Sequence, residues 1–241
     1  MVLLIHAGAC DSRMWAPQVG EIARDRRVVT PDLRGYGQSR LDAEPYSDAG
    51  DVLALLENLG VDHLSIVGAS RGGAVALQVA SAVPDRIDSL VLLAAAAEGV
   101  EPTADVRAFA AEEEALLEAG DVEAATELNA RTWLGPEAAA SAHELFREMQ
   151  AHAFRVQLAA GDDVHDEELP VELDRIGAPT TVVSGVQDLD FFQDIAEHLA
   201  HELPNARRIV LPWAGHLPSM ERPDEFVRLV LDFLSTRMEG R

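Results

Sequence analysis

The sequence predicts an open, doubly wound α/β sheet of about six mostly parallel strands, and three observations carry that prediction. Short apolar, β-branched runs recur at residues 2–6, 27–30, 64–67, 89–93, 180–184 and 208–211. Their hydrophobicity is continuous rather than alternating, which suits strands buried on both faces of a parallel sheet. Helix-period segments fall between them, at about residues 48–59, 71–82, 191–202 and 224–238, so strand and helix alternate as in a doubly wound fold.

One stretch interrupts the alternation. Between about residues 98 and 170 no strand-like run occurs, only helix-favouring sequence cut by Gly120, Gly135-Pro136 and Gly161. The glycines fit helix ends and Pro136 fits a first helical position. Phe146, Met149, Ala153 and Val156 share one face at helical spacing. The expectation is three or four helices inserted as a cap over the carboxyl edge of the sheet. The core is then residues 1–97 and 171–241. A plain helical side layer is the alternative. The acidic run 162–168 reads as a solvated loop, and His165 within it lacks the ligand spacing of a metal site.

Composition narrows the function. With 241 residues the chain has room for one large domain, and 48% hydrophobic content argues against disorder. A formal charge of −23 argues against nucleic acid or an anionic membrane as partner. All 19 basic residues are arginine. No apolar run approaches the ~20 residues of a membrane span. "MVLLIHAG" has neither a basic leader nor a cleavage site. Cys10 is the only cysteine, so no internal disulfide can form and a cytoplasmic location is expected. Neither a cofactor nor a metal is expected.

The chemistry is concentrated in "IVGASRGGAVALQVA". Ser70 stands where a strand ends and an Ala-rich helix begins, among Gly68, Ala69, Gly72 and Gly73. A nucleophile at such a turn is held in a strained backbone that lifts its hydroxyl above the sheet, and its neighbours must be small. Serine needs a base, and the base an orienting carboxylate. Of eight histidines, His198 and His201 fall in a late helix and His143, His152 and His165 in the inserted region. His63 begins a strand. His216, in "LPWAGHLPSMERPDEF", follows the last strand at the same edge as Ser70. Asp188, in "VVSGVQDLDFF", lies just beyond the preceding strand. Asp190 and Glu98 are rival acids.

The order Ser70, Asp188, His216, together with "IHAG", Trp15 nine residues after His6, "PDLRGYGQS", "GASRGG", "GVQD" and "GHLPSMERPDEF", resembles the α/β-hydrolase superfamily over essentially the whole chain. Within it the chain is similar to the bacterial enol-lactonase and carboxylesterase-like branch with a small helical cap. The resemblance implies an acyl-enzyme mechanism with Ser70 as nucleophile, His216 as base and Asp188 as its partner. It also implies an oxyanion hole from the backbone N–H of Arg71 and one from the loop after His6, with His6 itself holding that loop. Two departures stand out. The usual "HG" is His6-Ala7 here, so Gly8 takes the donor position. An antiparallel hairpin that commonly precedes the first strand is also missing. Residues 27–30 are then expected at the sheet edge, blunted by Arg26, Arg27 and Pro31. A naturally short sheet, a truncation and a homodimer pairing through that edge all fit.

The expected reaction is hydrolysis of a small carboxylic ester or lactone. A lyase or C–C bond hydrolase using the same triad is the alternative, and a non-enzymatic ligand receptor a third. Candidate pocket residues are Trp133, Phe146, Met149 and Phe154 from the inserted helices, with Leu189 and Leu217 beside the triad. Each reads equally as packing. The Arg71 side chain is expected in a surface ion pair rather than on an anionic substrate.

Overall fold

A computed structural model describes residues 1–42, 44–161 and 164–235. Six strands form one sheet: β1 (Val2–Ile5), β2 (Val28–Val29), β3 (Leu64–Ala69), β4 (Ile87–Leu93), β5 (Thr180–Gly185) and β6 (Ala206–Leu211). Their order is β2-β1-β3-β4-β5-β6 and every pair is parallel. The apolar runs of β1, β3, β4 and β5 are buried almost throughout, which is why they read as continuous hydrophobic stretches. β2 forms the expected edge but contributes only two residues.

Nine helices accompany the sheet among the described residues: α1 (Ala16–Ile22), α2 (Asp48–Asn58), α3 (Arg71–Ala82), α4 (Ala104–Glu118), α5 (Val122–Trp133), α6 (Ala140–Ala160), α7 (Asp190–Glu202), α8 (Pro218–Glu221) and α9 (Pro223–Ser235). α1 packs on α9, where Trp15 and Phe226 stack with centroids 6.2 Å apart. α4, α5 and α6 fill the interval between β4 and β5, with α5 against both neighbours. Gly120 follows α4 and Gly161 ends α6, both at positive φ, where an L side chain is strained. Pro136 does not start a helix as expected. It lies in a turn, and α6 begins at Ala140.

The registers align the strand ends: Ile5 pairs with Gly68, Ala69 with Leu93, Leu93 with Val183 and Gly185 with Leu211. The segments after β1, β3, β5 and β6 therefore leave from one edge. Gly68 and Gly72 permit this. A Cβ on Gly68 would collide with the Gly72 carbonyl, and one on Gly72 with the carbonyls of Ile5 and His6. Helix α3 thus packs backbone to backbone against β3 and β1 directly after Ser70.

The acidic run differs from its expectation. Asp162 and Asp163 lie outside the described residues, but Asp166 is not solvated loop. It pairs with Arg71 and accepts the Asp48 N–H at 3.0 Å, while Tyr46 and Asp166 form a β-bridge. His165 contributes its carbonyl to Tyr46 and its side chain is exposed.

Candidate active site

Ser70 has φ 50° and ψ −116°, a conformation that L residues avoid and that costs about 1–3 kcal/mol. Its surroundings over-determine it. The Ser70 N–H donates to the Leu93 carbonyl at 2.9 Å. The Ser70 carbonyl accepts from Gly73, Ala74 and Ala96 at 2.8, 3.2 and 3.0 Å. Both α3 and the end of β4 thus fix the turn, and its side chain stays partly exposed.

At the other end of the site, His216 and Asp188 meet. His216 Nδ1 lies 2.8 Å from Asp188 Oδ2, with both side chains buried. Because a carboxylate only accepts, Nδ1 carries a proton, and in the neutral ring the lone pair lies on Nε2. Asp188 Oδ1 accepts the Leu189 N–H at 2.8 Å, so both carboxylate oxygens are held. The two loops are joined through their backbones: Val186 N–H donates to Leu211 and Gln187 N–H to Ala214, at 3.0 and 2.9 Å. The rival carboxylates lie elsewhere. Glu98 is exposed, and Asp190 opens α7 with its N–H on Asp105.

The imidazole is enclosed by aromatic rings. Trp133, from α5, has its centroid 4.6 Å away, and Phe192, from α7, lies edge-on at 4.2 Å. Trp133 is itself anchored, with its indole N–H on Asn129 Oδ1 at 2.7 Å and Phe109 against its other flank. Phe192 did not stand out in the sequence, because the "DFF" at the start of a helix carries no sign of which ring turns inward.

The loop after β1 supplies the third part. His6 Nε2 accepts the Leu33 N–H at 2.9 Å, so its proton is on Nδ1 and donates to the Ala7 carbonyl, also at 2.9 Å. The ring is buried and bonded on both sides, which makes it a strut. Two thioethers hold the same loop: Met14 Sδ accepts from Ala7 N–H and Met149 Sδ from Asp11 N–H, both at 3.4 Å. Gly8 comes out beside Arg71, where a Cβ would stand 3.4 Å from the Arg71 Cβ and 3.5 Å from the Tyr36 hydroxyl. The backbone N–H groups of Gly8 and Arg71 have no acceptor among the described residues.

Burial pushes the His6 pKa below its ordinary 6.5. The unfolded chain therefore binds a proton that the folded chain refuses. Stability is full above 6.5 and declines as pH falls toward the folded-state value, by at most about 1.4 kcal/mol per pH unit. The stability difference between the wild type and His6→Asn is expected to narrow below pH 6.5, read by urea denaturation at a series of pH values. A pH-independent difference contradicts this.

The Arg71 side chain is engaged by two carboxylates. It donates to Asp48 Oδ2 at 2.7 and 3.0 Å and to Asp166 Oδ2 at 3.0 Å, and Asp48 is buried. The ion pair is half-buried rather than superficial, and two carboxylates share one guanidinium. The other pocket candidates divide. Phe146 and Leu217 are fully buried in the hydrophobic core, which is a packing role. Met149 belongs to the core beneath the His6 loop, Phe154 is buried on α6, and Leu189 is half-buried next to Asp188. Among the described residues, no group of three or more His, Cys, Asp or Glu could hold a metal, and no helix is long and apolar enough to cross a membrane.

A parallel sheet with a strained serine after β3 and a histidine–carboxylate pair after β5 and β6 defines a class of hydrolytic α/β enzyme. The chain belongs to the alpha/beta hydrolase family, whose model matches residues 2–229, and it is a hydrolase of that type. It is 30% identical over 245 residues to a putative carbamate hydrolase RutD of Pseudomonas savastanoi, covering 94% of this chain and 90% of that one. Among solved structures it resembles a thermophilic esterase from Thermogutta terrifontis, at 27% identity and TM-score 0.81, over 98% of this chain and 89% of that one. The enol-lactonase from Burkholderia xenovorans is similar at 26% identity and TM-score 0.76, over 97% and 90% of the two chains.

Proposed function

We propose that the protein is a serine hydrolase that cleaves small carboxylic esters or lactones through an acyl-enzyme. The buried 2.8 Å contact between His216 Nδ1 and Asp188 carries the reading, because it fixes the tautomer whose Nε2 accepts a proton. Ser70 Oγ attacks the carbonyl carbon as His216 Nε2 takes its proton, and Asp188 stabilises the resulting imidazolium. The N–H groups of Gly8 and Arg71 receive the oxyanion, each worth about 10²–10³ in kcat. The imidazolium returns its proton to the leaving oxygen, and water repeats the sequence on the acyl-enzyme. Residues 98–170 act as a cap, a reading supported by the placement of Trp133 on the imidazole. The resemblance to a carbamate hydrolase fits the same carbonyl attack. The reading includes a cytoplasmic location, which a single buried thiol at Cys10 supports.

The electrostatics narrow the substrate. Arg71 is the cation next to the elbow, and with Asp48 and Asp166 its surroundings carry a net formal charge of −1. An acyl group bearing a carboxylate meets repulsion instead of a free guanidinium. A panel of nitrophenyl esters and lactones tests this. Neutral short acyl esters are expected to exceed the matching carboxylate-bearing hemiesters by about tenfold or more in kcat/KM, equivalent to about 1.4 kcal/mol. Faster turnover of the anionic members contradicts it, and no turnover of any ester, lactone or carbamate contradicts the function.

A further inference from the structure

We propose that Glu221 is a positioning residue for His216, its buried carboxylate tying the histidine loop to the backbone that carries Trp133. The inference rests on the hydrolase reading above and concerns the same site. Glu221 ends α8 and is only 4% exposed. Its Oε2 accepts the Gly215 N–H at 2.9 Å and its Oε1 the Leu217 N–H at 3.2 Å. Those two residues bracket His216. The Gly135 N–H, two residues beyond Trp133, faces the same carboxylate. The fit there is close: a Cβ at Gly135 would run into Glu221 Oε2 and come within 2.9 Å of the Gly215 nitrogen.

One side chain thus fixes both partners in the contact between Trp133 and His216. It sets the backbone from which the imidazole projects, and it sets the segment holding the indole against that imidazole at 4.6 Å. A buried carboxylate is costly unless its lone pairs are used. Here the N–H groups of Gly215 and Leu217 use them, and the Gly135 backbone packs directly against the same carboxylate. Burial pushes the Glu221 carboxyl above its ordinary range, while these N–H groups and the nearby His216 act in the opposite direction. The ionised form, with each oxygen accepting a loop N–H, is the one the geometry needs. Arg222, the adjacent cation, is engaged elsewhere, with Glu137 and Glu225.

Glu221→Gln preserves shape but replaces one accepting oxygen with an NH₂ that faces backbone donors. At a temperature below its melting transition, kcat on a neutral nitrophenyl ester is expected to fall about 10–100-fold, the scale of a small misplacement of a reacting group. KM is expected to change less than about threefold, since this carboxylate is not a substrate contact. The downfield proton resonance of the His216–Asp188 hydrogen bond is expected to shift or broaden. Gly135→Ala, which keeps Glu221 but sets a methyl against its carboxylate and the Gly215 nitrogen, is expected to show the same kcat-selective loss. A folded Glu221→Gln protein with wild-type kcat and an unchanged resonance overturns the proposal. Should that variant fail to fold, wild-type kcat in Gly135→Ala overturns it instead. Ser70→Ala is the control. If it stays within tenfold of the wild-type rate, the serine-hydrolase reading fails; if it falls to the residual level while both other variants are normal, only the role of Glu221 fails.

Discussion

Ser70→Ala is expected to lower kcat by about 10⁵–10⁶-fold without loss of fold, because the proposed nucleophilic hydroxyl is removed while the Cβ remains. The strained φ of 50° is borne by the backbone hydrogen bonds to Leu93, Gly73, Ala74 and Ala96, none of which involves the side chain. Ala94 holds a φ of 42° in the same structure, so alanine occurs there at a comparable positive φ. Residual hydrolysis by the N–H groups of Gly8 and Arg71 alone is expected to stay about 10³–10⁴ above the uncatalysed rate. Ester turnover in a stopped assay with circular dichroism as the check on folding reads both quantities. A variant within tenfold of wild type contradicts Ser70 as nucleophile.

Asp188→Asn is expected to reduce kcat by about 10⁴-fold with little change in KM. An amide facing His216 Nδ1 either donates to it or rotates, and in the first case it stabilises the tautomer whose Nε2 bears a proton and cannot accept one from Ser70. The Leu189 N–H still finds the remaining amide oxygen, so the loop keeps its shape. Asp190→Asn, two residues on, is the comparison. It is exposed and makes no hydrogen bond to the ring, and kcat is expected to stay within about twofold. Surface substitutions of that kind stay within about ±0.5 kcal/mol. Equal losses in the two variants contradict the assignment.

The parts of this molecule that were legible in the sequence are those written in local pattern. Strands buried on both faces announce themselves as unbroken apolar runs, and α3 matches its expected residues 71–82 because the elbow's glycines and the alanine run mark both ends. β2 shrank to Val28–Val29 because pairing to β1, not apolarity, ends it. α1 was not expected, since it is short and carries Gly20; it forms where Gln18 and Ile22 are buried against α9 and α8. Chain order brought out Ser70, Asp188 and His216. What it could not bring out are contacts that only the closed fold creates. Arg71 finds Asp48 and Asp166, residues 23 and 95 positions away, and Phe192 turns onto His216. Glu221 was in view within "GHLPSMERPDEF", yet its role depends on Gly135 arriving from the inserted helices.

The claim on which the rest depends is that His216 and Asp188 make Ser70 nucleophilic. Treating the folded protein with a fluorophosphonate and locating the adduct by peptide mass spectrometry tests it most directly. One adduct per chain on Ser70 is expected, absent in Ser70→Ala and formed far more slowly in Asp188→Asn. An adduct on another residue, or folded protein that stays unlabelled, would contradict it.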